Sequence, residues 1–384
     1  MRFSRLSLEH LESRCVPTLF GSASSVATGW GGDPYAPVLA DVNGDGDLDL
    51  ACISSSFSVW KVTIREGNGD GTFGSLLDTV ALGTQVVDAA FADVDGDSDR
   101  DLLMLAAITD QLVVWTNNGS GDFSASNSYS TESSPASLEI GDFDENGDTD
   151  VLVHCVDSEN TYDDEVQVFL GATGATFGDP TDLNLGNGFF RSLTVGDIDG
   201  DADLDFAIIQ YGTQNPNVAV HNLKYRLGNG DGTFASQSSF DLNSTEGAPD
   251  TALIADLDGD GDGDLVTAGE LNQDEHGILS YLWGGSSFGS QSEFESDFFT
   301  EGGMVVADFD SDGNLDIALV CEGDSDSVNV FLGNGDGTFD AHDDYATGNG
   351  PRFIAVGDLD GDGKPDLVTA NQDDDNLSVL INAL

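Results

Sequence analysis

Short apolar runs recur along the chain, each about five residues long and each separated from the next by a cluster of Gly, Asn and Asp. In the last repeat Phe353-Ile354-Ala355-Val356 precedes an aspartate-rich turn. Asp366-Leu367-Val368-Thr369-Ala370 follows it at once, and Leu377-Ser378-Val379-Leu380-Ile381 comes after a second polar turn. Runs so short and so rich in β-branched residues predict strands, not helices. Elsewhere a Gly-rich turn, for example Gly333-Asn334-Gly335-Asp336-Gly337-Thr338-Phe339, follows the third run and leads into a fourth. Gly, Asn and Asp between short strands make hairpins, so each unit reads as a four-stranded antiparallel meander.

The unit is repeated. The pattern D-x-[DN]-x-[DN]-x-x-x-D, followed directly by apolar residues, starts at Asp41, Asp93, Asp142, Asp197, Asp256, Asp308 and Asp358, so successive copies lie 49 to 59 residues apart. A period near fifty marks stacked units that cannot bury their apolar faces alone, and seven units of four strands predict an all-β fold, a seven-bladed β-propeller. A chain of 384 residues could hold two or three ordinary domains, but no Pro- or Ser-rich linker breaks the period. Residues 18–384 therefore read as one domain.

The last repeat reaches Leu384 after only three strands. At the other end Thr18-Leu19-Phe20-Gly21 resembles Gly71-Thr72-Phe73-Gly74 and Ala175-Thr176-Phe177-Gly178, which open fourth strands. Residues about 18 to 28 are thus expected to complete the last blade. Closing the ring in this way leaves no half-blade edge open to pair with other chains.

The aspartate turns carry the chemistry. Carboxylate and amide oxygens are hard ligands; positions 1, 3 and 5 of such a turn point inward, position 7 offers a carbonyl and position 9 a last carboxylate. An oxygen-only cage of this kind suits Ca²⁺. The expected ligands are Asp41, Asn43, Asp45 and Asp49 in the first repeat, Asp93, Asp95, Asp97 and Asp101 in the second, and Asp142, Asp144, Asn146 and Asp150 in the third. The fourth and fifth supply Asp197, Asp199, Asp201 and Asp205, then Asp256, Asp258, Asp260 and Asp264. The sixth and seventh supply Asp308, Asp310, Asp312 and Asp316, then Asp358, Asp360, Asp362 and Asp366. Up to seven Ca²⁺ ions would be held.

An EF-hand loop begins alike but needs a Glu at position 12. Cys52, Met104, Val153, Ile208, Thr267, Leu319 and Thr369 stand there, and a strand follows each loop, so the EF-hand is excluded. Asp/Asn/Gly turns are also ordinary hairpin turns, yet four carboxylates in one turn repel one another without a cation. Position 6 is Gly46, Gly147, Gly261, Gly313 and Gly363 in five copies, where glycine takes a left-handed conformation freely. Ser98 and Ala202 replace it in repeats two and four, and Arg100 adds an opposing charge, so these two cages are expected to be the weakest.

With these residues in view, the repeats resemble the FG-GAP/VCBS repeats of the integrin α-chain type of propeller. Phe73-Gly74, Phe177-Gly178 and Phe288-Gly289 match the FG element and Gly247-Ala248-Pro249 the GAP element, which is reduced to Ser134-Pro135-Ala136 and Gly350-Pro351 elsewhere. The resemblance implies Ca²⁺ in the first hairpin of a blade. Relatives with this repeat include adhesion receptors, lectins and a few carbohydrate- or phospholipid-active enzymes.

Charge narrows the partners. A net −60, with eleven Lys and Arg, repels phosphate backbones and anionic lipid surfaces, so nucleic acid is not an expected partner. Twenty-six of the twenty-eight side-chain ligands are Asp, so the cages hold much of that charge. Weak multi-site Ca²⁺ cages fill where the ion is abundant, which points outside the cell or to its surface. Cys52, Cys155 and Cys321 fall on apolar second strands of three different blades and are expected to be buried free thiols. Residues 1–17 hold Arg2, Arg5 and Arg14 but no apolar run of secretory-signal length. Their Leu8-Glu9-His10-Leu11-Glu12-Ser13-Arg14-Cys15-Val16-Pro17 is similar to the LEPR-type leaders of bacterial surface proteins; a disordered tail is the other reading. No stretch has the length of a transmembrane helix, so membrane insertion is not expected.

Catalytic patterns are poor. His10, His154, His221, His276 and His342 share no spacing, His154 reads as a core residue, and no nucleophile elbow, phosphate loop or zinc motif occurs. Trp115 and Trp283 stand where other third strands carry Phe or Leu and read as core. The face opposite the aspartate hairpins would carry Trp30, Tyr35, Tyr162, Tyr211, Phe189, Phe190 and Arg191 in its loops, where binding residues concentrate. Two functions follow: a monomeric surface or secreted module that binds carbohydrate or protein, or an extracellular polysaccharide hydrolase or lyase with its site on that same face.

Overall fold

The structure, a computed structural model, describes residues 18–28, 32–56, 59–82, 84–156, 163–212, 221–242, 249–272, 275–297, 299–322 and 326–384. Blade one consists of Asp33–Ala40, Asp49–Ser56, Val59–Gly67 and Phe73–Leu82, paired in that order, and blade two of Val86–Ala92, Asp101–Ala106, Gln111–Asn117 and Phe123–Ser130. Blade three uses Pro135–Gly141, Asp150–Cys155, Asp163–Phe169 and Thr181–Asn187; blade four uses Phe189–Gly196, Asp205–Gly212, Asn222–Arg226 and Ser238–Asp241. Blade five follows with Pro249–Ala255, Asp264–Asn272, Glu275–Trp283 and Phe288–Ser296, and blade six with Phe299–Ala307, Asp316–Cys321, Ser327–Phe331 and Asp343–Ala346. Blade seven takes Pro351–Gly357, Asp366–Asn371 and Asn376–Leu380, and its outer strand is Ser24–Ala27 from the other end of the chain.

The seven-bladed β-propeller and its closure are therefore as the sequence predicts. Ser24 pairs with Val379 and Ala27 with Asn376. Before that strand Phe20 bridges Asn382 and packs edge-on against Phe309 and Tyr345. Each first strand touches the first strands of both neighbouring blades, blade seven against blade one included, so these strands form the innermost wall of the ring.

Burial follows from position in the blade. A second strand lies between two others in its own sheet and under a neighbouring blade on each face, so every residue of Asp101–Ala106, Asp150–Cys155, Asp316–Cys321 and Asp366–Asn371 is buried. That is why these runs are continuously apolar and do not alternate. First strands have no partner on their inner side, which is why Pro34, Pro37, Pro135, Pro249 and Pro351 are tolerated in or at the start of them. The core lies between blades: Ile53, Val62 and Ile64 of blade one pack with Leu102 and Met104 of blade two, and Leu257, Val266 and Ile278 of blade five with Ile317 and Phe331 of blade six.

Cys52, Cys155 and Cys321 are buried free thiols, and burial pushes the first two up to about 12. Trp283 is buried against Tyr225 and Phe288, and Trp115 packs half-buried on the blade-one core, so both serve as core. His154 is buried beside Asp164 at 3.5 Å. Residues 1–17, with Cys15 and His10, lie outside the described residues, as do Trp30, Tyr162, Gly247 and Ala248.

Candidate metal loops

All seven aspartate turns join the first strand of a blade to its second, so they emerge on one face of the ring. Two internal bonds recur in all seven and a third in six. The position-1 carboxylate accepts the N–H of position 6 through Oδ2 at 2.9–3.1 Å in every loop. The position-5 side chain accepts the N–H of position 7 in every loop, as Asp45 does from Asp47 and Asn146 from Asp148. The position-3 side chain accepts the N–H of position 5 in six of them, from Asn43 in loop one to Asp360 in loop seven. These bonds fold the three side chains back onto the backbone of their own loop.

Position 6 is left-handed throughout. Glycine there has φ near +90°, from 88° at Gly363 to 97° at Gly261, and Ser98 and Ala202 are forced to 77° each. A side chain in that region costs about 1–2 kcal/mol. Loops two and four thus keep the shape of the other five at the expense of strain.

The oxygens are spaced for a cation. Ligand atoms of Asp93, Asp95 and Asp101, of Asp142, Asp144 and Asp150, of Asp197, Asp199 and Asp205, and of Asp308, Asp310 and Asp316 lie within 4.8 Å of one another. In loop five the group is Asp256, Asp258 and Asp260. Oxygens at about 2.3–2.6 Å from one ion span no more than about 5 Å, so the donor set fits Ca²⁺ in kind and in spread. Asp199 adds a specific sign: its Oδ1 is buried and has no hydrogen-bond partner. Burial, followed by the charges of neighbouring carboxylates, raises Asp95, Asp199, Asp258 and Asp310 above the ordinary carboxylate range.

Position 9 does more than the sequence pattern states. Asp49, Asp101, Asp150, Asp205, Asp264, Asp316 and Asp366 are at most 1% exposed. In each, Oδ2 accepts the N–H of position 2 at 2.7–3.0 Å. Oδ1 accepts an N–H at the end of the third strand, from Gly67 round to Asn382, at 2.6–2.8 Å. One buried carboxylate thus ties the loop to the third strand of its own blade and still has lone pairs free for an ion. Burial pushes Asp101, Asp150, Asp264, Asp316 and Asp366 up to about 6 and Asp205 up to about 7, against the pull of these two bonds. Asp49 is raised for the same reason.

Two features escaped the pattern. Position 2 is apolar in all seven copies, Val42, Val94, Phe143, Ile198, Leu257, Phe309 and Leu359, and every one of these side chains is buried, which anchors the loop to the core. That regularity is visible in the sequence once the position is asked about. Lys364, at position 7 of loop seven, places its ammonium 2.8 Å from Asp362 Oδ2 and holds that carboxyl below the ordinary range. A cation in loop seven would compete with this lysine. Arg100 lines a cleft of about 250 Å³ with Gly141, Asp142 and Asp148 of blade three, so it borders loop three as well as its own loop.

On the opposite face the expected aromatics separate. Phe189 and Tyr211 remain exposed and stack with centroids 5.7 Å apart. The Arg191 guanidinium lies 4.5 Å over the Tyr211 ring and pairs with Asp250 of blade five. Phe190 is buried in the core between blades three and four, and Tyr35 is half-buried between Trp60 and Phe353. Both belong to strands, and strand alternation turns them inward.

The profile of the FG-GAP-like repeat matches residues 41–104, 99–153 and 308–369, and two of the three matches begin on the first aspartate of a loop. No curated protein matches the chain. Among solved structures, BBS1N in complex with ARL6DN, soaked with lead, superposes with a TM-score of 0.60 over 95% of this chain and 97% of that one, at 12% identity. The WD40 domain of coronin from Toxoplasma gondii gives 0.61 over 95% and 88%, also at 12% identity. At such identities the likeness speaks for the propeller alone. Strand order makes the chain a seven-bladed β-propeller, in which residues 41–104, 99–153 and 308–369 match the FG-GAP-like repeat.

Proposed function

We propose that the protein is a Ca²⁺-binding propeller that acts outside the cytoplasm, secreted or at the cell surface, as a binding module for carbohydrate or protein. The observation that carries this reading is the ring of seven aspartate loops with one internal bonding scheme and oxygen-only donors. Asp41, Asp93, Asp142, Asp197, Asp256, Asp308 and Asp358 with their partners at positions 3, 5 and 9 would hold the ions. A bound ion would neutralise like charges and fix each hairpin. Cages of this exposed kind fill at about 10⁻⁴–10⁻³ M Ca²⁺, an extracellular concentration. The ligand would be met on the other face, where Phe189 and Tyr211 offer stacked rings beside the Arg191–Asp250 pair.

The test is a thermal melt in millimolar Ca²⁺ and again in excess chelator, with bound metal counted and a glycan array probed in parallel. A ligand that binds only the folded state raises its stability. A clear rise in Tm with about five to seven ions bound supports the cages. No rise and no metal reduces the loops to plain turns, and turnover of a bound glycan replaces the binding module with an enzyme.

A further inference from the structure

The peptide group after position 2 of every aspartate loop is gripped from the next blade. The Val42 carbonyl accepts Nδ2 of Asn117 at 2.6 Å, and the Phe309 carbonyl accepts Nδ2 of Asn382 at 2.7 Å. Backbone N–H groups do the same at the other five junctions: Ala175 to Val94 at 2.9 Å, Gly232 to Phe143 at 2.8 Å, Gly263 to Ile198 at 3.2 Å, Gly337 to Leu257 at 3.3 Å, and Gly71 to Leu359 at 2.9 Å. The accepting group is the same each time, while the donor is of three kinds.

The kinds have local causes. Where a long Gly-rich turn joins strands three and four, its backbone reaches across, as at Gly71, Gly232 and Gly337. Blade five has a short turn there, and Gly263 of its own aspartate loop reaches across. In blade seven the outer strand comes from the other end of the chain, so no such turn exists and a side chain, Asn382, takes over. Blade two has a Gly-rich turn as long as that of blade one, but there Asn117 stands between: its Oδ1 accepts the N–H of Gly119 and Gly121, and its Nδ2 reaches across in their place.

Position 2 is therefore fixed on both sides: its N–H by the position-9 carboxylate of its own loop, its carbonyl by the following blade. It stands between the ligands at positions 1 and 3. We propose that Asn117 and Asn382 are positioning residues for the metal loops of the neighbouring blades, Asn117 for the Asp41 loop and Asn382 for the Asp308 loop. Neither touches the ion; each holds the peptide that sets the two ligands apart. Binding an ion in one blade is thereby linked to docking of the next, and by reciprocity a docked blade raises the affinity of the loop it grips. This inference rests on reading the loops as Ca²⁺ cages.

The test uses the full chain and the variants N382A and N117A, each titrated with Ca²⁺ calorimetrically and melted in Ca²⁺ and in chelator. Removing a partner that orients a metal ligand typically weakens binding tenfold or more, so one site should lose about tenfold in affinity. The rise in Tm on adding Ca²⁺ should shrink in the variant. In a D312A background, where loop six has already lost a ligand, N382A should change the Ca²⁺ titration no further; D45A is the matching background for N117A. Equal losses of Tm in Ca²⁺ and in chelator, with all affinities kept, would show that the asparagines only hold blades together and would overturn the proposal. A parent protein that binds no Ca²⁺ at millimolar concentration would overturn the cage reading itself, an outcome distinct from unchanged affinity in the variants. If N382A fails to fold, the N117A cycle decides.

Discussion

On the hairpin face Asp49, Asp150 and Asp366 make the same two bonds in blades one, three and seven, at distances that differ by no more than about a few tenths of an ångström. Among the described residues, the loops of the opposite face differ from blade to blade in what they present. Blade four ends there in the exposed Phe189–Tyr211 stack, blade two in the exposed Ile108, and blade seven in Asp374, which accepts both the N–H and the Nδ2 of Asn349. One face is under a constraint that every blade shares, because each loop must meet both its own third strand and the next blade. The other is free to differ blade by blade, and binding residues are placed on such loops without disturbing the frame.

Substitutions can set the two faces against each other. The largest effect is expected from Asp150→Ala, which leaves the N–H groups of buried Phe143 and half-buried Gly171 without these acceptors. Two charge-assisted bonds lost should lower stability by about 3 kcal/mol, read by denaturant unfolding in chelator so that metal plays no part.

The channel wall between the faces gives a pH-dependent case. Burial, then the charge of Asp88, pushes Glu139 on the first strand of blade three up to about 8, and burial pushes Asp88 up to about 6. In the unfolded chain both ionise near the ordinary value. The folded protein thus binds more protons between about pH 4 and pH 8, and its stability falls as pH rises through that window. Glu139→Gln should raise Tm at pH 8 by about 2 °C, corresponding to about 1 kcal/mol, and should leave Tm at pH 4 unchanged. An equal shift at both pH values would assign the gain to packing.

A smaller gain is expected on the hairpin face from Ala202→Gly and Ser98→Gly. Each relieves a left-handed φ and should add about 0.5–1 kcal/mol after the entropy cost of glycine is set against it, visible as a higher denaturation midpoint. The smallest effect belongs to the opposite face. Tyr211→Ala should change stability by less than about 0.5 kcal/mol, and with the glycan or protein partner in hand it should abolish binding. A Tyr211 variant that unfolds the chain would show that this face, too, bears on the frame.

Much of this was legible in the residues. The repeat of Asp41, Asp93 and their successors fixed the blade number, the continuous apolar second strands marked the middle of each blade, and Thr18-Leu19-Phe20-Gly21 disclosed where the ring closes. The loops themselves could be outlined because their bonds join residues two to five apart. What could not be read was longer in range. Position 9 bonds a residue at the far end of the third strand, and position 2 bonds a donor in another blade that is a Gly in one place and an Asn side chain in another. The sequence reading puts Phe190 in the loops with Phe189, but the two are adjacent in a strand, where successive side chains point to opposite sides.

The outer strand of blade seven has a consequence for how the molecule comes into being. Ser24–Ala27 leaves the ribosome long before its partner Asn376–Leu380, so the strands of six blades have emerged while the seventh still has no way to form. Until then Ser24–Ala27 presents an unpaired strand, the kind of edge that recruits other chains. Closure joins nearly the whole sequence in a single step, and contacts so distant form slowly. The vulnerable moment in the life of this protein is therefore its birth, before Asn376–Leu380 arrives.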